Sequence, residues 1–345
     1  MIELFLVKPN EMVEIPTESI TWSGRRYQAA RKIEANILYT KKNGHQYTKV
    51  SEGDTVLFKW QGKEVFRGTV FNRSRTKSGM LSVVAYDMLQ YLILNRDVYV
   101  FTKKRADEIL KRICKDFQIP YSAIANTKQV LKSLVFKNET SLYDMVLKAL
   151  IETHKQTNSK FQLWSSKGKL HLREWPNSTN QWVLETGVNI IDYTYSTSID
   201  DTATRVKLVG EKEVEVIKVI KGKKKSRTKK VKEKRPISAI VTDQDGKKKY
   251  GVLQYFEHVS GNINQAQLND RAKKRLSKKK GVKRELELEA LGIADIISGV
   301  PVYVIEKDLG ISKTFFVDED THMFQGKQHS MTVKLIEKNT VEAVS

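Results

Sequence analysis

The chain has 345 residues, 40% hydrophobic and 29% charged, which indicates a globular protein of about two domains and excludes a low-complexity chain or a stapled mini-protein. The single cysteine, Cys114, excludes an internal disulfide and a cysteine-based metal site, and it favours folding in a reducing compartment. Met1–Lys8 lacks a basic leader and no uncharged run reaches the ~18 residues of a membrane span, so we expect neither a secretion signal nor a membrane-spanning segment.

The positive charge of the chain is concentrated in two segments. Its 61 lysines and arginines against 40 aspartates and glutamates give a net charge of +21, which is typical of proteins that bind nucleic acid or another anionic surface. Val216–Arg235 contributes +10 and Arg271–Arg284 contributes +9, so the other 311 residues carry only about +2. The body of the protein is therefore nearly neutral, and any function of the charge is local.

The N-terminal part alternates β-branched or aromatic residues with polar ones between turn signals, a pattern that predicts short strands. The predicted strands are Ile2–Val7, Ala29–Tyr39, Thr55–Trp60, Glu64–Asn72 and Met80–Ala85. Strands at this spacing predict a small antiparallel barrel or sandwich.

The hydrophobic period then changes to that of a helix. An apolar stripe over Ala106–Phe117 predicts one helix, and a second begins near Ser141, where Asp144 completes a capping box. The segments Phe161–Trp164 and Lys169–Arg173 flank a glycine turn and predict a β-hairpin. Together these elements predict an α+β module.

Strands resume near Val188 and are interrupted by the first basic segment. A helix over Asn264–Lys279 carries much of the second basic segment on its exposed face, and strands return after it. Gly53–Val83 and Gly299–Val333 show a weak internal similarity in their glycines, phenylalanines and valines. The spacing alone leaves open whether this reflects a duplicated barrel.

No phosphate-binding loop, nucleophile elbow or zinc-protease helix occurs in the sequence, so we expect no catalytic site, no cofactor and no metal. Asp318–Asp320 with His322 and His329 is the best metal-like group, but acidic residues between strands are more typical of a turn, which we prefer. Cys114 lies beside the first helical stripe, so we predict a core residue in preference to a reactive thiol.

Three interpretations of the basic segments remain open: a nucleic-acid arm, a solvated disordered excursion, and a contact to an acidic partner protein. Neither segment contains an aromatic residue for base stacking, and Gly222–Arg235 has the composition of a disordered excursion, which we prefer. The candidate contacts to an anionic partner are Lys223, Lys224, Lys225, Arg227, Lys229, Lys230, Lys273, Lys274 and Arg275.

A series of different short motifs follows one another along the chain. They are Trp22-Ser23-Gly24, Ala30-Arg31, Gly53-Asp54-x-Val56, Phe66-Arg67-Gly68-x-Val70, Ala85-Tyr86-Asp87, Tyr91-Leu92, Asn95, Ile199–Val206, Lys249–Gln254, Arg284-Glu285-Leu286 and Gly299-x-Pro301-Val302. In these motifs the chain resembles the tail hub proteins of contractile-tailed phages, in the XkdQ/YqbQ branch found in PBSX-type defective prophages.

The resemblance implies a mixed β fold with α+β insertions, built on two small antiparallel β-barrels of which the second is discontinuous. It implies these domains: 1–97, the N-terminal barrel; 98–182, the α+β module; 183–212 with 285–340, the second barrel; and 213–284, an inserted basic segment with strands and a helix. Three chains of such a fold form a ring of six barrels, so the resemblance implies a homotrimer.

The resemblance also implies a function and partners. We expect a structural baseplate hub without catalysis, which joins the tail tube to the central spike of a phage tail or phage-like particle assembled in the bacterial cytoplasm. The implied partners are the tail tube or tube-initiator protein, the central spike protein, baseplate wedge proteins, and a tape measure protein or a separate peptidoglycan hydrolase. The alternatives are a nucleic-acid-binding protein that uses the two basic segments and, with less support, an enzyme with a carbohydrate site beside Trp164, Trp175 and Trp182.

Overall fold

The computed structural model divides into two units by its internal contacts. The first unit comprises Met1–Thr194 and the chain from Leu286 onward, and the second comprises Tyr195–Glu285. The structure describes residues 1–27, 30–38, 48–77, 79–175, 182–221 and 226–337, and of 218–221 and 226–229 it describes the backbone only. No helix in these ranges is both long enough and apolar enough to cross a bilayer.

Seven antiparallel strands make up the N-terminal part. They are β1 (Ile2–Val7), β2 (Met12–Glu14), β3 (Thr17–Arg25), β4 (Lys32–Leu38), β5 (Thr55–Trp60), β6 (Lys63–Arg75) and β7 (Met80–Tyr86). Alternate side chains such as Leu4 and Leu6 on β1 point into a core, as the sequence pattern predicts. Strands β1 and β5 have the predicted ends, whereas β2 and β3 add to the predicted set.

The α+β module follows and encloses a core of its own. Its elements are α1 (Leu89–Leu94), β8 (Arg96–Arg105), α2 (Ala106–Asp116), β9 (Tyr121–Ile124), β10 (Val130–Ser141), α3 (Leu142–Thr157), β11 (Phe161–Ser166) and β12 (Lys169–Glu174). Ser141 caps α3, because its hydroxyl oxygen accepts a hydrogen bond from the backbone N–H of Asp144 at 3.0 Å. Cys114 is 1% exposed among the apolar side chains of α2 and α3, which confirms it as a core residue.

The second unit is inserted in the sequence between the two parts of the first unit. After β13 (Trp182–Glu185) and β14 (Ile190–Ser198), it contains β15 (Arg205–Lys221), β16 (Ser226–Thr242), α4 (Gln244–Tyr250), β17 (Gln254–Asn262) and α5 (Gln265–Lys279). β15 pairs with β16 antiparallel and with β17 parallel, and α5 covers this sheet with Leu268, Ala272 and Leu276, which are all buried. The predicted helix over Asn264–Lys279 is confirmed.

The remaining strands return to the first unit and join the N-terminal ones in a single sheet. They are β18 (Lys283–Leu291), β19 (Pro301–Glu306), β20 (Ile311–Gln325) and β21 (Gln328–Ile336). The described strands run in the order β14-β18-β21-β20-β3-β4-β7-β6-β5-β1-β2, with β19 on β20 and β13 on β19. This sheet does not close among the described strands, so the mostly β class is confirmed but the two closed barrels are not.

Two separate cores nevertheless lie along this one sheet, and β20 contributes to both. Its first half pairs with β19 and places Phe315 and Val317 in one core. Its second half pairs with β3 and places Phe324 in the other core. The strand can serve both because its register against β21 shifts between Val317 and Glu319, which re-aims the side chains on either side.

The acidic segment Asp318–Asp320 lies at this irregularity inside β20, so the prediction of a turn there is wrong. A local window could not have shown why three acids stand in a strand, since the arginines that neutralise them come from the opposite end of the chain. The ion pairs are Arg26–Asp318 at 3.2 Å, Arg25–Glu319 at 2.8 Å and Arg31–Asp320 at 2.5 Å. No three His, Cys, Asp or Glu side chains in the described ranges are placed to hold a metal ion.

The Arg31–Asp320 pair is the most deeply buried of these contacts, with Arg31 9% and Asp320 1% exposed. Asp320 also accepts the backbone N–H of Ser298 at 2.6 Å, and the Arg31 guanidinium lies 4.0 Å from the centre of the Trp22 ring. Burial alone would raise the pKa of Asp320, but the Arg31 charge and hydrogen bonds from Arg31 and His322 hold it well below its usual range. Asp320 is therefore an ionised carboxylate in the protein interior.

A basic hairpin and helix as the candidate interface

The second unit carries most of the net charge. Residues 195–285 contain 26 lysines and arginines against 11 aspartates and glutamates, a net charge of +15, whereas the rest of the chain carries +6. The basic surface thus belongs to one folded unit.

The first basic segment forms a long β-hairpin of β15 and β16. Their register runs from Arg205 opposite Thr242 to Lys221 opposite Ser226, so the interpretation of a disordered excursion is wrong for the described part. Among the described strands, β17 pairs with β15 only as far as Glu211, and beyond it β15 and β16 pair only with each other. The ten residues Lys212–Lys221 give this two-stranded extension a length of about 33 Å.

Alternating charge holds the root of this extension together. Three diagonal ion pairs cross the hairpin on one face: Glu211–Lys234 at 3.0 Å, Glu213–Lys232 at 3.6 Å and Glu215–Lys230 at 3.4 Å. Each pair is exposed and contributes only about 0–1 kcal/mol, but the series favours this register over neighbouring ones. Lys230, a predicted contact, is 75% exposed at its side chain and belongs to this series.

The second basic segment lies largely on α5. Asn264 and Gln267 form a capping box at its start. Arg275, a predicted contact, donates to Glu257 of β17 at 2.9 Å, and Arg271 donates to the same carboxylate at 2.5 Å. Both arginines therefore hold the helix onto the sheet. Burial raises the pKa of Glu257, but hydrogen bonds from Tyr255 and the two arginines outweigh it and leave the pKa lowered.

The other two predicted contacts on α5 point into solvent. Lys273 is exposed, and Lys274 is 74% exposed at its side chain while it pairs with Asp270 at 2.7 Å. Such cations can exchange an intrahelical partner for an external anion at small cost.

The remaining predicted contacts are Lys223, Lys224, Lys225, Arg227 and Lys229. Lys223, Lys224 and Lys225 fall outside the described residues. Arg227 and Lys229 lie on β16, where only the backbone is described. The structure therefore places the six described residues of the predicted set in one unit, three on β16 and three on α5.

Sequence analysis missed one basic group of this unit. Lys247, Lys248 and Lys249 occupy the last turn of α4, where they also favour the negative end of the helix dipole. The signal was a run of three lysines, which two acids nearby, Asp243 and Asp245, concealed in the charge count.

Comparison with known proteins places the chain in a family. The YqbQ-like family model matches residues 20–336. The uncharacterized protein YqbQ of Bacillus subtilis (strain 168) is 53% identical over 342 residues, covering 99% of this chain and 98% of that protein. The phage-like element PBSX protein XkdQ of the same organism is 52% identical over 347 residues, covering all of both chains.

Solved structures share the fold at low sequence identity. The 43 kDa tail protein of prophage MuSo2 from Shewanella oneidensis superposes with a TM-score of 0.68 at 13% identity, over 97% of this chain and 98% of that one. The Escherichia coli protein c3393, a component of the type VI secretion system with structural similarity to the T4 tail proteins gp27 and gp5, has a TM-score of 0.55 at 7% identity, over 99% of this chain and 78% of that one. With a family match over nearly the whole chain and two relatives above 50% identity, this chain belongs to the YqbQ-like family.

Proposed function

We propose that the protein is a non-catalytic structural component of the tail baseplate of a phage or phage-like particle, where it acts as the hub. The observation that carries this proposal is the full-length match to the PBSX protein XkdQ, together with a fold shared end to end with a prophage tail protein. Assembly then takes place in the bacterial cytoplasm, and the partners are the tail tube, the central spike and the baseplate wedge proteins.

We further propose that the hub is a homotrimeric ring in which each chain supplies two similar modules. The strands β5-β6-β7 and β19-β20-β21 are both antiparallel meanders, and the similar motifs place Val56 and Val302 at buried positions on their first strands. Two such modules per chain let three chains approximate the sixfold symmetry of a tail tube. The predicted division at 1–97, 98–182, 183–212 with 285–340, and 213–284 is retained, although the separate unit begins earlier, at Tyr195.

Native mass spectrometry and light scattering of the purified chain test the ring. We expect trimers alone or with the tube and spike proteins of the same particle added. Only monomers and dimers under both conditions would overturn the trimeric hub.

The basic hairpin and helix are proposed to engage an anionic neighbour in the tail. Concentrated exposed charge speeds encounter with an oppositely charged surface, and added salt weakens the effect because it shortens the Debye length of ~8 to 10 Å. Replacing Lys212–Arg235 by a short Gly-Ser linker removes the two-stranded extension and leaves the part of β15 that pairs with β17. We expect binding to the isolated tail tube protein to weaken and to lose much of its salt dependence.

Duplex DNA is the second candidate ligand, because the unit carries +15. Fluorescence anisotropy with a 20-base-pair duplex at 50 and 200 mM salt separates the two. Tight binding that falls steeply with salt, together with no binding to the tube protein, would favour the nucleic-acid function.

Zymography on cell-wall substrate tests the absence of catalysis. We expect no clearing, and a clearing band that an Asp318→Ala variant lacks would show an active site at the acidic segment of β20.

A further inference from the structure

All five tryptophans of the chain line one cleft of the first unit. The cleft has a volume of about 860 Å³, within the usual range of ligand sites. Its tryptophans come from the N-terminal strands, the α+β module and the segment before β14, which are far apart in sequence. They are Trp22, Trp60, Trp164, Trp175 and Trp182.

The inner surface of the cleft presents buried hydrogen-bond donors without acceptors. The indole N–H groups of Trp22 and Trp175 and the Nε–H of Arg31 are shielded from solvent, and none has a hydrogen-bond partner among the described residues. The Tyr27 hydroxyl and the Oδ2 atom of Asp87, which also belong to lining residues, are buried without a partner as well. Trp22, Trp175 and Arg31 are 5%, 7% and 9% exposed. A buried donor without an acceptor costs free energy, so three of them in one cleft indicate a ligand that supplies acceptors.

The geometry around Trp175 depends on a glycine. A Cβ at Gly299 would lie 2.4 Å from the Trp175 ring, and Gly299 has a φ of +98°, a conformation that favours glycine. Trp175 also packs against Tyr27, with ring centres 5.9 Å apart. The indole is thus fixed in the wall of the cleft.

The mouth of the cleft carries unpaired positive charge. Eight lysines and arginines line the cleft against three acids, and Arg25, Arg26, Arg31 and Arg67 are matched by carboxylates. The remaining four cations are exposed and have no carboxylate within 4 Å in the described ranges. They are Lys63, Lys167, Arg173 and Lys327. An anion approaching this cleft meets an attractive potential before it reaches the donors.

One wall of the cleft is a stack of Arg173, Trp164 and His171, on which a flat or apolar group can pack. The Arg173 guanidinium lies 4.7 Å from the centre of the Trp164 ring, and its Nε and Nη2 both donate to Gln162. Trp164 stacks in turn on His171, with ring centres 5.0 Å apart.

We propose that this cleft binds an acidic segment of another polypeptide, whose carboxylate accepts hydrogen bonds from Trp22, Trp175 and Arg31 while a neighbouring side chain packs on the indole wall. A carboxylate only accepts hydrogen bonds, which matches a floor that offers only donors at these three atoms. The proposal concerns the first unit and is independent of the basic hairpin and of the trimeric ring.

The test uses the full-length protein and its intrinsic tryptophan fluorescence, since every tryptophan lines the cleft. The probes are two mixtures of N-acetylated, C-amidated pentapeptides that are random except for a central glutamate in one and a central glutamine in the other. We expect the glutamate mixture to change the emission and the glutamine mixture to bind at least tenfold more weakly. Equal binding of the two mixtures, or no change with either, would overturn the proposal.

Matched variants locate the interaction. Trp175→Phe removes one donor, and we expect it to weaken binding of the glutamate peptides about tenfold. Tyr303→Phe removes a hydroxyl that donates to Ser312 outside the cleft, and it should keep the affinity within threefold. If Trp175→Phe does not fold, the exposed pair Lys63→Gln and Lys327→Gln tests the mouth and should weaken binding at least threefold.

A carbohydrate probe tests whether the cleft binds a sugar in place of a polypeptide. A tetrasaccharide of alternating glucuronate and N-acetylglucosamine carries carboxylates on sugar rings. Saturable binding of this tetrasaccharide with no response to either peptide mixture would overturn the polypeptide assignment.

Discussion

Breaking the Arg31–Asp320 pair should cost far more than breaking any exposed ion pair of this chain. Arg31 is 9% and Asp320 1% exposed, and the Arg31 guanidinium contacts both carboxylate oxygens, at 2.8 and 2.5 Å. Removing one partner leaves an uncompensated charge in the interior, which costs about 3–5 kcal/mol of unfolding free energy. We expect this loss for Arg31→Met and for Asp320→Asn separately.

The double variant should be much less destabilised than the sum of the two. Asp320→Asn keeps an oxygen that accepts the Ser298 N–H, so with Arg31→Met no charge remains buried. A loss of about 2–4 kcal/mol for the double variant against about 6–10 for the sum gives a coupling energy of at least about 2 kcal/mol. The exposed Lys8–Glu11 pair, with side chains 47% and 56% exposed, is the control and should couple by about 0–1 kcal/mol.

Urea unfolding followed by tryptophan fluorescence measures these values. All five tryptophans belong to the first unit and none to Tyr195–Glu285, so the signal reports the unit that contains the pair. A single-variant loss below about 1 kcal/mol, or additive losses in the double variant, would refute the reasoning.

The pH dependence of the same pair has a definite sign. Because Asp320 has a lowered pKa in the folded protein, its stabilisation is present above the ordinary carboxyl pKa of about 3.9 and is lost as the pH falls below it. The wild type should therefore lose more stability between pH 5 and pH 2 than Asp320→Asn does.

Three further predictions concern other buried groups. Burial raises the pKa of Asp87 to about 7, so the folded state binds the Asp87 proton more tightly than the unfolded state does. As the pH rises from 4 to 8, the unfolding free energy of the wild type should therefore fall by on the order of 2–4 kcal/mol relative to that of Asp87→Asn, as measured by urea unfolding. Burial also raises the pKa of the Cys114 thiol to about 12, so a thiol reagent at pH 8 should label it only after unfolding, and labelling at the rate of a free thiol would contradict the buried placement. A Cβ at Gly68 would lie 2.3 Å from the backbone oxygen of Tyr86, so Gly68→Ala should lower the unfolding free energy by about 1–3 kcal/mol, and a neutral result would show that β6 and β7 can separate there.

The elements that were predictable from the sequence are those whose pattern is local. The stripe over Ala106–Phe117 and the cap at Ser141 each specify a helix within a few residues, and both are found. The alternation in Ile2–Val7 likewise specifies a strand with one buried face.

The elements that were not predictable depend on partners distant in the chain. β3 pairs with β20 about 300 positions away, and no window around Trp22 contains that information. The acids of β20 look like a turn until Arg26 and Arg31 are placed beside them. For the same reason the sequence grouped only Trp164, Trp175 and Trp182 at a carbohydrate site, and only the fold adds Trp22 and Trp60 to the same cleft.

The basic hairpin was misjudged for a different reason. Glu211–Val219 alternates along the chain as a strand does, but the density of lysine around it has the composition of a disordered segment. In the structure the acids of β15 stand diagonally opposite the lysines of β16, so the charge that suggests disorder is partly neutralised across the hairpin. Composition counts charge without regard to where the partner strand places it.

The pairing of β3 with β20 also determines the order in which this protein can be completed during synthesis. When the ribosome has released β1–β7, the N-terminal sheet still lacks Phe324 in its core, and the edge of β3 has no neighbour until Glu319–Gln325 emerges. An unpaired strand edge is open to pairing with other nascent chains, so the N-terminal sheet is an aggregation hazard until β20 emerges. The pairing of β3 with β20 is a contact across some 300 residues, which slows completion of the core that contains Phe324.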